Sequence, residues 1–341
     1  MNLKTLSEKL GLSQTTISRA LNDYPEVSEA TRQRVKAAAL KYNYRPNTRA
    51  QRLATGRAMA IGHVIPMSNN QEMVNPVFGD FIAGAGESYS KAGYDMLLSV
   101  VQDKDEEATY RAMASKGSVD GVIVHGPHRN DPRIKLLQEL GLPFVVHGRS
   151  MGDETSYSWL DINNGRSFQR ATNLLLDLGH KRIALLNGDE TMDFAARRRS
   201  GYEDALRKRG FAPDSTLTFS AEMTEQFGYE TAKRLLQGMR PPTAFLVSSY
   251  ITAIGVRRAI GRAGLLLGRD VSVVTHDDDL SYLRNGDDIP SFTATRSSVR
   301  NAGRRCAEIL LQSIATGNGE PVQELWETEL MLGDSTGPAP S

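Results

Sequence analysis

One cysteine, Cys306, serves the whole 341-residue chain, so no disulfide can form within it, a usage that fits a reducing compartment. No apolar run is long enough to span a bilayer. The opening MNLKTLSEKL holds no apolar signal region, so export is not expected. Enzymatic signatures are missing too. There is no Gly-x-x-x-x-Gly-Lys-[Ser/Thr] phosphate loop and no Gly-x-Ser-x-Gly nucleophile elbow. The histidines at 63, 125, 128, 147, 180 and 276 make no metal-ligand spacing with cysteine or glutamate. These gaps count against an enzyme, a resident metal or other cofactor, a membrane partner and an exported protein.

What is present is a soluble, globular composition, 40% hydrophobic and 24% charged. The length exceeds one ordinary core and implies two or three domains. The net charge of +1 conceals an asymmetry. Residues 1–60 carry 11 Lys and Arg against 4 Asp and Glu, net +7, which leaves 30 basic and 36 acidic residues, net −6, in the other 281. A basic head on a mildly acidic body suits contact with a polyanion, or is a plain solvated surface; charge alone leaves both open.

In the head, Leu3, Leu6 and Leu10 fall at helical spacing, Gly11 is placed to end that helix, and Ser13 can cap a second in which Ile17 and Leu21 face inward. A third helix starts at a Ser28 cap and turns Val35, Ala38, Ala39 and Tyr42 inward. Two short helices joined through a glycine turn make a helix-turn-helix, whose second helix aims its N-terminal residues at base edges in the major groove. Gln14 can pair with adenine and Arg19 with guanine, while Thr15 offers a hydroxyl and a methyl. Ser13, Thr16, Ser18 and Asn22 suit phosphate oxygens, which position without specifying. SQTT is also an ordinary helix start, so it does not decide the matter alone. Pro46 breaks the third helix. Beyond it TRAQRLA, with Arg49 and Arg52 around Ala50 and Leu53, has too narrow an apolar face to fold unaided. It is either a segment that orders against a partner or a plain linker.

Past residue 58, apolar runs alternate with amphipathic segments: AIGHVIP, DMLLSVV, GVIVHG, PFVVHGR, RIALLNG, TAFLVSS and DVSVVTHD, with helical patterns at 79–92, 105–116, 166–178, 195–209, 225–237 and 251–263 between them. Such alternation predicts parallel α/β sheets, here in two lobes. Open parallel sheets bind ligands beyond the C-terminal ends of their strands. Those ends carry Met67 and Ser68, His125, His147 with Arg149, Asn187, Ser248 with Ser249, and His276 with Asp277 and Asp278. A cleft lined this way suits a sugar, whose vicinal hydroxyls take forked hydrogen bonds from carboxylate and guanidinium. Each residue has a plainer alternative. A loop histidine is often simply satisfied, Asp277 and Asp278 can cap a helix, Arg197-Arg198-Arg199 can be a solvated helix face, and Met223 and Phe227 can be ordinary packing.

LKTLSEKLGLSQTTISRALND, VSEATRQRVKAAALKYNYRPN and RAQRLATG resemble the DNA-binding head and hinge of the lactose-repressor/galactose-repressor (LacI/GalR) family, and LGHKRIALLNG, RRRSGYEDAL and VSVVTHDD resemble its effector-binding body. The resemblance implies an all-α helix-turn-helix head at 1–46 and a hinge helix at 47–57. An α/β two-lobed body like that of the periplasmic binding proteins, with two parallel sheets, would follow at 58–333. It places lobe one at about 60–160 plus 291–325, so that SFTATRS and a helix at 298–315 return there, and lobe two at about 161–290 plus 326–333. The Gly/Pro/Ser-rich end, 334–341, is expected to be disordered, and it lacks the heptads of a tetramer-forming helix. By the same resemblance Gln14, Thr15 and Arg19 read bases, Asn47 contacts the backbone or minor groove, and Leu53 is the apolar wedge that pairs with its dimer mate, while the charge of Arg49 suits phosphates. Arg198 and Asp277, expected to face one another, grip ligand hydroxyls, with Phe78, His125, His147, Arg149, Met223 and Ser249 around them.

Two departures bear on the ligand. Ser249-Tyr250 replaces the family's Asn-Asp, and Gly148 stands where an aspartate is common. A wider pocket with fewer carboxylates suits a larger polyol, and the family's regulators of α-glucoside utilisation are the nearest pattern. The expected activity is therefore a cytoplasmic, homodimeric repressor that binds a pseudo-palindromic operator of a carbohydrate uptake or catabolism operon under control of a small sugar. A sugar-binding transport protein of the same two-lobed fold is the alternative, as is a regulator with a non-sugar co-repressor. The basic head and the missing signal segment separate the first from the transport protein.

Overall fold

The computed structural model describes the chain apart from residues 22, 45–55, 67–74, 153, 318 and 341. It divides into two compact units, Met1–Met59 and Ala60–Ser341. The expected hinge helix at 47–57, with Asn47, Arg49 and Leu53, falls almost wholly outside the described residues, as do Asn22, Met67 and Ser68.

The small unit is built from three capped helices. In α1 (Leu3–Leu10) Asn2 Oδ1 accepts from the Thr5 amide at 2.8 Å, and Gly11, at φ 63°, closes the other end in a conformation that costs a residue with a Cβ. Ser13 Oγ accepts from the Thr16 amide at 3.0 Å and starts α2 (Gln14–Leu21). Ser28 does the same for α3 (Glu29–Lys41). Leu6, Ile17, Ala20, Val27, Val35, Ala38, Ala39 and Tyr44 form the core, with Leu21 and Tyr42 at its half-buried margin. The Lys9 ammonium lies 4.4 Å from the centre of the Tyr42 ring.

In the large unit the chain runs β1 (Ala60–Pro66), α4 (Pro76–Ala92), β2 (Asp95–Val101), α5 (Glu106–Lys116), β3 (Gly121–His125), α6 (Pro132–Leu140), β4 (Phe144–His147) and β5 (Ser158–Ile162). A second series follows: α7 (Asn164–Asp177), β6 (Ile183–Asn187), α8 (Asp193–Lys208), β7 (Thr218–Ser220), α9 (Glu225–Leu236), β8 (Ala244–Val247), α10 (Tyr250–Arg262) and β9 (Ser272–Asp277). The last part comprises β10 (Thr293–Arg296), α11 (Val299–Thr316), β11 (Gln323–Trp326) and β12 (Glu329–Met331). The first sheet has the order β11-β5-β4-β3-β1-β2, and the second β12-β10-β9-β8-β6-β7. Every pairing is parallel except β10 with β12. Strands covered on both faces read as near-continuous apolar runs: β8 is wholly apolar, β1 is interrupted only by His63, and β6 ends in Asn187. Helices pack closely where glycines remove the side chain. A Cβ at Gly201 of α8 would lie 2.0 Å from Gly165 O of α7.

Two expectations are corrected. The run SFTATRS does not return to the first lobe: β10 pairs with β9 in the second sheet, Thr293 opposite Val274. Only α11 and β11 go back, with Cys306, Ile309 and Leu310 packing on Ile61, Ile123 and Val145. A short run shows that a strand forms but not which edge it extends. The C-terminal stretch is likewise not loose. Ser335 is fully buried, its Oγ donating to Val273 O at 2.5 Å and accepting from the Thr293 amide at 2.8 Å. Gly337 O accepts from His180 Nε2 at 3.1 Å, and the Ala339 amide donates to Leu178 O at 2.8 Å. Gly/Pro/Ser composition marks a segment without its own core, yet main-chain hydrogen bonds to a sheet and loop can still hold it.

Candidate nucleic-acid interface and ligand cleft

On α2 the helical period separates two faces. Ile17 and Ala20 are buried against the core of the small unit, while Gln14, Thr15, Ser18 and Arg19 are exposed. Ser13 and Thr16 share a hydroxyl contact of 2.8 Å, so both are partly committed to holding the helix start. The exposed row is short, polar and carries a planar guanidinium, which matches the donor and acceptor edges of base pairs.

In the large unit the C-terminal strand ends of both sheets converge. From the first lobe come His125 and His147, ending β3 and β4 opposite one another. His125 Nε2 lies 2.9 Å from His63 Nδ1, and His63 Nε2 lies 3.1 Å from the Tyr89 hydroxyl. Phe78 meets His125 edge-on at 5.2 Å, and Phe81 lies 4.4 Å from His147. Burial holds these imidazoles neutral: His63 is pulled down to about 3, His147 to about 4, and His125 well below its ordinary value. His63 is a participant the sequence did not reveal, because it sits inside the apolar run of β1 rather than at its end.

From the second lobe comes Arg198 of α8, 4% exposed. Its Nε donates to Asn164 Oδ1 at 2.7 Å and its Nη1 to Ser248 O at 2.6 Å. Phe168 and Phe194 lie about it at 5.1 and 5.0 Å. Burial lowers its pKa to about 10, opposed by the charges of Asp278 and Asp161. The expected pairing of Arg198 with Asp277 does not occur. Asp277 Oδ1 accepts from the Asp279 amide at 2.9 Å, and the residue lines a separate recess with Arg296 and Arg300. The Arg198 charge is felt instead by Asp278, without an ion pair between them: burial would raise the Asp278 carboxyl, but His276, Arg198 and His147 hold it low. At β9's end the two adjacent aspartates have different surroundings, so the expected pairing of Arg198 with Asp277 is the part that is corrected. His276 is 1% exposed, with Nδ1 3.2 Å from Thr295 Oγ1. Its Nε2 is buried and lies 3.4 Å from Asp278 Oδ1, and burial holds the imidazole below its ordinary pKa.

The remaining candidates divide. Ser249 caps α10, its Oγ accepting from the Ile251 amide at 3.2 Å. Met223 is half-buried beside Gly188 at the end of β6, where Phe194 also packs. Arg149 stands apart from Arg198, bonded to Asp161 Oδ2 at 2.9 Å and Glu154 Oε2 at 3.0 Å. It reaches Arg198 only through a relay, since Asp161 Oδ1 accepts from Asn164 Nδ2 at 3.3 Å. Asp161 itself is pushed up to about 6 by burial, although Arg149 opposes this. Glu154 also accepts from Arg197 of the second lobe at 2.6 Å, and the Asp193 amide donates to Pro127 O at 3.0 Å, so the lobes are tied directly together. Asp161, Asn164 and Glu154 were absent from the sequence-derived set because no motif distinguishes them from other loop polar residues.

Comparison with known proteins agrees with this division of labour. Residues 3–47 match the family model described as bacterial regulatory proteins, lacI family, and residues 172–336 match the periplasmic binding protein-like domain. The HTH-type transcriptional regulator AglR of Rhizobium meliloti (strain 1021) is 46% identical over 340 residues, covering 100% of this chain and 95% of the relative. A solved transcriptional regulator CelR–cellobiose complex is 28% identical with a TM-score of 0.72, covering 98% of this chain and 99% of that one. The lac repressor dimer bound to operator and the anti-inducer ONPF shares the fold, with a TM-score of 0.83 at 24% identity and 99% coverage of both chains. Among the described residues no helix is long and apolar enough to cross a membrane. A helical head with an exposed reading row, a two-lobed α/β body and a full-length regulator relative lead to one assignment: the chain belongs to the LacI family of bacterial regulatory proteins.

Proposed function

We propose that the protein is a cytoplasmic, homodimeric repressor whose grip on a pseudo-palindromic operator is set by a small sugar, an α-glucoside or another disaccharide, in the cleft between the lobes. Gln14, Thr15 and Arg19 read bases, with Ser13, Thr16, Ser18, Asn22, Asn47 and Arg49 on the backbone and Leu53 as wedge. In the cleft Arg198, Asp278 and His276 hold sugar hydroxyls, and Phe78, His125, His147, Met223 and Ser249 shape the site.

The observation that carries the ligand reading is the buried polar cluster at the strand ends, in which His276 Nε2 lies 3.4 Å from Asp278 Oδ1 and Arg198 is held by the neutral amide of Asn164. Sugar hydroxyls both donate and accept, which suits an imidazole, a carboxylate and a guanidinium gathered in one place. The cellobiose complex of the similar regulator CelR supports a sugar as the effector. Dimerisation is supported by the edge strand β2, where Leu98 and Val100 on one face and Leu97 on the other are exposed, an edge that a second copy would cover. The effector works through different affinity for two arrangements of the lobes. The test is fluorescence anisotropy of the full chain on operator DNA, with and without maltose, sucrose or trehalose. A sugar that binds and shifts operator affinity upholds the reading; sequence-independent DNA binding unaffected by any of the sugars removes it.

A further inference from the structure

Between the lobes lies a recess of about 660 Å³ outside α7 and α8, lined by neither Arg198 nor His276. Arg129 and Arg149 enter it from the first lobe, and Arg166, Arg197 and Arg199 from the second. Five guanidinium groups suggest an anion site at first sight. The charge is already answered, however. Arg149 pairs with Asp161 and Glu154, Arg197 with Glu154 and Asp193, Arg199 with Glu190 and Glu203, and Arg166 with Glu327. Only Arg129 has no carboxylate partner among the described residues, its Nη2 touching Met151 Sδ at 3.6 Å.

Guanidinium groups paired with carboxylates, as four of the five are here, present alternating donors and acceptors. That is the pattern a neutral polyol needs, since each hydroxyl both donates and accepts. Asn163, Gln169 and Ser200 add neutral hydrogen-bonding groups. The floor is flat where Gly165 and Gly201 let the two helices touch, and Met151 and Ala196 supply apolar contact for the CH face of a ring. The volume lies within the roughly 300–1,000 Å³ of small-molecule sites.

We propose that this recess is a second saccharide site, separate from Arg198 and His276. Because its walls come from both lobes, a sugar there binds the joined arrangement better than a parted one and so adds to or opposes the effect of the cleft ligand.

The experiment is isothermal titration of the full chain with maltose, sucrose and trehalose, comparing wild type with Ser200→Trp, Arg129→Gln and Arg198→Ala. Ser200 and Arg129 are exposed, so the first two variants leave the core alone, and the tryptophan fills the recess. The expected result is two binding events per chain. One weakens at least about tenfold in Ser200→Trp and in Arg129→Gln yet persists in Arg198→Ala; the other behaves in the opposite way. A single event lost only in Arg198→Ala overturns the recess and leaves the cleft standing. A single event lost only in Ser200→Trp upholds the recess and removes the cleft. No binding of any of the sugars overturns both, and saturable binding of inorganic phosphate abolished by Ser200→Trp overturns the neutral-ligand class.

Discussion

Arg198 and Asn164 are joined by a 2.7 Å hydrogen bond from Nε to Oδ1, so the buried guanidinium is held by a neutral amide rather than by a carboxylate. A charge restrained this way is available to a ligand without first breaking an ion pair. Arg198→Ala should therefore cost roughly 1.5–3 kcal/mol of effector affinity, the worth of a charged hydrogen bond. Operator binding by the ligand-free protein should persist. Calorimetry with the sugar and anisotropy with DNA, on one preparation, check both halves. Unchanged sugar affinity would sink the assignment of Arg198.

Arg19→Ala should weaken specific operator binding by about 1–3 kcal/mol and relax base choice at one position in each half-site. Sugar affinity should be untouched, since the substitution lies on an exposed row of α2. Equal losses on operator and random DNA would make Arg19 a phosphate contact instead.

The buried histidines should make the protein acid-sensitive. His63 and His147 are held at about 3 and 4, against about 6.5 in the unfolded chain. As pH falls from 6.5 toward 4, the unfolded chain takes up protons that the folded one refuses, so folding stability drops. Each such histidine contributes a slope of about 1.4 kcal/mol per pH unit in that window. His147→Gln should flatten the stability–pH curve by about that slope between pH 6 and 5, measured by urea unfolding. An identical slope in the variant would show that His147 is protonated in the folded protein.

Ser335→Ala should lower stability by about 1–3 kcal/mol, because it leaves Val273 O and the Thr293 amide without their partner in a buried place. Thermal melting checks this, and an unchanged midpoint would mean that the C-terminal stretch is not held as described.

The strand-and-helix order of this protein was readable because each buried strand is an apolar run and each helix an amphipathic one; AIGHVIP and RIALLNG needed no context. Caps were readable for the same local reason, as at Ser13 and Ser28. Spatial choices were not. Whether TATR joins the first or second sheet depends on edges hundreds of atoms away, and whether Asp277 or Asp278 feels the charge of Arg198 depends on the local surroundings at β9's end. Composition misled at GDSTGPAPS, where Ser335 and Gly337 are fixed by partners far back in the chain. The relay through Asp161 and Asn164 carried no signature at all.

The chain passes from the first sheet to the second after β5, back to the first lobe between β10 and α11, and over again between β11 and β12. This order has a consequence for synthesis on the ribosome. The first lobe lacks α11 and β11, and the second lacks β10, β12 and the strap at Ser335, until the last fifty or so residues have been made. Neither lobe can close its core early. A nascent or prematurely terminated product would leave the first sheet without the cover of α11 and the second with an unpaired edge at β9.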